Sequence, residues 1–134
     1  MGRSTQLSKE SKEEESKSEI FEAAKKAYLT IDEKFGKDIV MLDISGVSVL
    51  ADYFLIASGG TPNQLKAIAE AAEKVLFEHG IRLRHTEGYQ SSKWILLDFS
   101  SIIIHLFNKD DREFYNLERI WGDAAVIPEE LIRK

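Results

Sequence analysis

The chain has 134 residues, 43% of them hydrophobic and 31% charged, the size and composition of one ordinary globular domain. It has no cysteine, which excludes a disulfide framework, thiolate-bound zinc and a thiol nucleophile, and its three histidines (His79, His85, His105) are too far apart for an HExxH metal site. The net charge of −5 argues against broad phosphate-driven contact with nucleic acid and suits a basic protein partner. No apolar run reaches the roughly 18–20 residues of a membrane span, so a cytoplasmic location is expected.

Residues 1–17, MGRSTQLSKESKEEESK, are rich in Glu and nearly devoid of apolar side chains, and they read as a disordered acidic arm rather than a targeting signal. One domain is expected over 18–125, followed by a tail over 126–134. Ser16-x-x-Glu19 resembles a capping box, and Ile20, Ala24, Ala27, Tyr28, Ile31 and Phe35 recur at helical spacing up to Gly36. Asp38–Ile44 and Tyr53–Ser58 read as strands around a Ser45-Gly46 turn. Thr61 as N-cap, Pro62 at the first position and Gln64 three residues after the cap open a second helix, which carries Leu65, Ile68, Ala69, Ala72, Val75 and Leu76 to Gly80. Ile81–Thr86 reads as a third strand, and Lys93–Phe99 and Ile102–Phe107 as two more. A last helix is expected over about Asp111–Trp121, stopped by Gly122, with a short turn after Pro128. The order αββαβββα implies an α/β fold with one mixed sheet of about five strands flanked by helices.

The hairpin over 93–107 has two unequal faces. With Ser100 and Ser101 in the turn, Phe99, Leu97 and Ile95 lie opposite Ile102, Ile104 and Leu106, a wholly apolar face for the core. The other face pairs Asp98 with Ile103, Leu96 with His105, and Trp94 with Phe107. A core disfavours Asp98 and His105, and solvent disfavours Trp94 and Phe107. Either a helix covers this face and satisfies its polar groups, or it is an interface with an aromatic anchor. The Ser-Ser turn lacks the Asn or Gly that two-residue hairpin loops favour.

Evidence for catalysis is thin. Gly59-Gly60-Thr61, between a strand and a helix, is placed like the glycine pair of a nucleotidyltransferase, where backbone N–H groups meet a phosphate. That chemistry also needs clustered carboxylates for Mg²⁺, yet IRLRHT contains no acid, Asp98 is alone on its strand, and Asp43 and Asp52 belong to other strands. A metal-dependent nucleotidyltransferase or nucleotide-binding protein at this turn is the alternative reading. His105 and Asp98 have no nucleophile to serve, since no GxSxG occurs. No catalytic residue, metal or cofactor is expected. On the last helix, Arg112, Tyr115 and Arg119 share one side and Phe114, Leu117 and Trp121 the other.

ADYFLIASG, EGYQSSKWILLDFSSIIIHLF and REFYNLERIWGDA, in this order and spacing, resemble the ribosomal silencing factors, or Iojap-like family, from about Phe21 to Ala125. The resemblance implies a nucleotidyltransferase-like fold without the catalytic carboxylates. It also implies a non-enzymatic role: binding the fourteenth protein of the large ribosomal subunit, blocking small-subunit joining and lowering translation. Family members can also form homodimers. The family's tryptophan before the ILLD strand matches Trp94, which becomes the expected anchor. Leu96 and Phe107 are expected to widen the apolar patch beside His105, and Tyr89, Lys93, Tyr115, Glu87 and Asp98 to form its rim.

Overall fold

A computed structural model describes residues 2–90, 93–109 and 124–133, with side chains from residue 17 onward. The first helix, α1, spans Gly2–Glu33. It starts well before the Ser16 box, and its backbone runs through the arm that composition assigns to disorder. Glu, Lys and Gln have high helix propensity, and extending a helix costs far less than nucleating one. Of the stripe read from the sequence, Ala24, Ala27, Tyr28 and Ile31 are buried, and Ala23 joins them. Phe35 departs from that stripe. It lies beyond the helix end in a left-handed conformation (φ +66°) and is 72% exposed. Phe35 and Gly36 donate their N–H groups to Asp32 and Ile31, closing the last turn with Phe35 at the position usually held by glycine.

Strands β1 (Lys37–Asp43) and β2 (Tyr53–Gly59) pair antiparallel, with an irregularity between Lys37 and Val40. Helix α2 (Pro62–Glu78) opens as its sequence foretells. The Thr61 hydroxyl accepts the Gln64 N–H at 3.1 Å, and Gln64 Oε1 reaches back to the Gly60 N–H at 2.7 Å. At the other end, Gly80 (φ +79°) and Ile81 donate to Phe77 and Leu76, the paired bonds of a glycine-stopped helix. Alanines 23, 24 and 27 of α1 and 69 and 72 of α2 are small enough for these two packed helices to approach closely.

The remaining strands are β3 (His85–Glu87), β4 (Trp94–Asp98), β5 (Ile102–Asn108) and β6 (Ala125–Val126), and a one-turn helix, α3 (Glu129–Ile132), ends the described chain. The sheet order is β3-β4-β5-β2-β1-β6. Only β2 and β5 are parallel neighbours; the other described pairs are antiparallel. The sheet is therefore mixed, with six strands among the described residues instead of about five, because Ala125–Val126 adds a two-residue edge beside Leu42 and Asp43. The third strand is shorter and later than IRLRHT suggests: Ile81 and Leu83 turn their side chains to the core, and pairing with β4 begins at His85.

The hairpin register agrees with the alternation argument at every described pair, from Trp94↔Phe107 to Asp98↔Ile103. Ser100 adopts φ +73°, and Asp98 Oδ1 accepts its N–H at 2.7 Å, which supports a turn that the residue types alone disfavour. Ile95, Leu97, Phe99, Ile102, Ile104 and Leu106 are all buried against the cluster that includes α1 and α2. Each contributes about 1.5–3 kcal/mol by leaving water.

Candidate functional site

The sheet's second face is built by alternation. Strand β4 sends Trp94, Leu96 and Asp98 to it, β5 sends Ile103, His105 and Phe107, and the paired positions on β2 are Phe54, Ile56 and Ser58. A separate apolar cluster forms there from Leu42, Ile44, Ala51, Phe54, Ile56 and Phe107, with Val40, Trp94 and Ile103 packed at its border. The aromatic rings interlock around His105. The Trp94 indole stacks on Phe107 with centroids 5.4 Å apart and planes 23° from parallel. Phe54 meets the imidazole edge-on at 4.8 Å. Trp94 Nε1–H donates to His105 Nδ1 at 3.2 Å.

That bond fixes the tautomer. A neutral imidazole has one acceptor nitrogen, so with Nδ1 accepting, the proton sits on Nε2. Nε2 is buried and has no hydrogen-bond partner among the described residues. His105 is 5% exposed, and burial pushes its pKa from the usual 6.5 down to about 4, so at neutral pH it is an uncharged acceptor.

Among the residues expected to bind a partner, Trp94 and Leu96 are half-buried on this face. Phe107 is 1% exposed and backs the indole, so it does not widen the patch as expected, and buried His105 offers no surface either. Glu87 sits across from Leu96, exposed, with Oε1 at 3.1 Å from His85 Nε2. Asp98 is half-buried and engaged with the turn. Lys93 is exposed, and its carbonyl accepts the Asn108 N–H. Tyr89 goes elsewhere: it packs against the helix-side cluster, its hydroxyl donates to Glu70 of α2 at 3.1 Å, and Lys66 lies over its ring. Tyr115, with the expected last helix, lies outside the described residues.

Two contributors were missed. Phe54 lies in a strand that is largely apolar on both faces, so alternation alone assigns it to neither. Gly88 has φ +75°, and a Cβ there would run into the Trp94 carbonyl oxygen, so only glycine lets the 87–90 turn lie on the Trp94 backbone. Nothing in EGYQ itself reveals what this glycine touches.

The Gly59-Gly60 turn borders a cleft of about 610 Å³, whose lining includes Phe35, Lys37, Asp38, Gln64 and Lys109. Its local geometry is that of a helix start. The Gly60 N–H is taken by Gln64 Oε1, and a Cβ on Gly59 would come within 2.8 Å of Leu65 Cδ2. Asp43 Oδ1 is engaged by the Ser45 N–H and hydroxyl at 3.0 and 2.6 Å. Among the described residues, no three His, Asp or Glu side chains gather where a metal ion would sit. No described helix is long and apolar enough to cross a membrane.

Residues 14–134 match the protein family described as "Ribosomal silencing factor during starvation". The ribosomal silencing factor of Halalkalibacterium halodurans is 41% identical over 97 residues, covering 72% of this chain and 83% of that protein. That of Bacillus subtilis is 42% identical over 95 residues, covering 71% and 80%. A crystal structure of a Chromobacterium violaceum protein superposes with a TM-score of 0.73 at 32% identity, over 77% of this chain and 86% of that one. With a family match over nearly the whole chain and relatives of this identity and coverage, the chain belongs to the ribosomal silencing factor family.

Proposed function

We propose that this protein binds the fourteenth protein of the large ribosomal subunit through the second face of its sheet. Docked there, it blocks small-subunit joining by occupying the contact surface, and so represses translation in the cytoplasm. The observation that carries the reading is a half-buried tryptophan, Trp94, set in a mixed face with its N–H anchored by His105 and Leu96 beside it, in a chain of this family. Buried aromatic anchors dominate binding energy at protein interfaces, and polar groups at the margin contribute less. Glu87, Lys93 and Asp98 form the margin in this reading.

The net charge of −5 supports the same choice, because large-subunit proteins are commonly basic and complementary charge speeds encounter. A footprint of about 1,600 Å² holds a stable complex, so steric blocking needs no catalysis and no metal. A homodimer that buried the same face would have to open before docking. Co-sedimentation with purified large subunits, followed by titration with small subunits, tests the proposal. The protein is expected to pellet with large subunits and to reduce joining, and a folded Trp94→Ala variant is expected to do neither. A wild-type protein that stays in the supernatant overturns it.

A further inference from the structure

Resting on the reading of Trp94 as docking anchor, we infer that His105 is a positioning residue, a buried neutral acceptor that holds the Trp94 indole against Phe107 in the orientation the partner meets. The paired neighbours of His105 are Leu96 on β4 and Ile56 on β2, and its ring contacts are Phe54, Trp94 and Phe107. All are apolar or aromatic, so a Leu or Phe would fill this position with no polar atom to desolvate. Histidine instead leaves Nε2–H buried without a partner among the described residues, an arrangement that costs stability. What histidine adds is an acceptor. An indole N–H is a donor only, and β5 is paired on both edges, so its backbone carbonyls are committed to the ladders.

The geometry then sets the indole in place. Phe107 covers part of one ring face at 5.4 Å, and the 3.2 Å bond to Nδ1 fixes rotation within that stack. Gly88 lets the neighbouring turn rest on the Trp94 backbone, so side chain and main chain are both held. An anchor ordered before binding loses less freedom on docking, which appears as affinity.

Two substitutions test this. His105→Phe keeps a flat ring and removes the acceptor; His105→Gln removes the ring and supplies an acceptor oxygen. The indole N–H resonance of Trp94, assigned by its loss in Trp94→Phe, reports the bond, and binding to purified large subunits reports docking. His105→Phe is expected to stay folded, to lose the downfield, exchange-protected indole signal, and to bind about tenfold more weakly, the equivalent of one net hydrogen bond. His105→Gln is expected to recover affinity to the extent that it recovers the bonded signal. Equal affinity of His105→Phe and wild type overturns the inference. So does a Gln variant that shows the bonded signal yet binds as weakly as His105→Phe. If Trp94→Ala binds like wild type, the docking reading itself fails, an outcome visible independently of the His105 variants.

Discussion

Between pH 7 and pH 5 the folded protein loses about 2 kcal/mol through His105 alone. The imidazole titrates near 4 when folded, against 6.5 in an unfolded chain, and burial is the cause. As pH falls below 6.5 the unfolded state takes up the proton and the folded state does not, so stability declines. The decline continues until the folded group titrates near 4, by which point about 3 kcal/mol is gone. Above pH 7 both states are neutral and the contribution is flat. The comparison with His105→Phe separates this component from every other group that titrates between pH 7 and pH 5. At this chain length the loss corresponds to a fall of about 6 °C in Tm. The assay is urea or thermal unfolding of wild type and His105→Phe at both pH values. The variant should lack this component and lose about 2 kcal/mol less than wild type. Parallel pH dependence in the two proteins would refute the buried, desolvated imidazole.

Other perturbations probe separate parts of the fold. Gly88→Ala should destabilise by more than about 2 kcal/mol, since it meets both a positive φ and the Trp94 carbonyl; urea unfolding measures it, and a neutral effect would contradict the close approach. Thr61→Ala removes the acceptor for the Gln64 N–H and should cost about 1 kcal/mol in the same assay, with Thr61→Ser restoring most of it. Ile104→Ala opens a cavity between Leu97 and Leu55 on the helix side and should cost about 2–5 kcal/mol without altering the Trp94 indole signal.

How much of this was legible in the sequence depended on the range of the forces involved. The β4–β5 pairing followed from alternation because one face is uniformly apolar, and a one-residue slip would expose Ile95, Leu97, Ile104 and Leu106. The α2 cap was equally readable, since Thr61, Pro62 and Gln64 act within one turn of helix. The arm was not. Low hydrophobicity argued for disorder, whereas the helical backbone from Gly2 reflects propensity and continuation from a packed segment. Strand β6 consists of two residues and exists only because Leu42 and Asp43 present an edge far away in sequence.

At the candidate site, Trp94 and the mixed character of its face came from local pattern. Depth did not: alternation assigns a side but says nothing of how far Phe107 and His105 are covered. Tyr89 was misplaced for a related reason. Its loop follows β3, and the side it takes is decided by contact with Glu70 and Lys66 of α2.

The proposed function rests on Trp94 as the anchor to the large subunit. Its most direct test is the dissociation constant of Trp94→Ala for purified large subunits, measured beside wild type with unfolding curves that show both proteins folded. At least a tenfold loss of affinity is expected, equivalent to about 1.4 kcal/mol or more for truncating an interface anchor, together with restored subunit joining. Equal affinity of the two folded proteins would contradict it and move the docking surface away from this face.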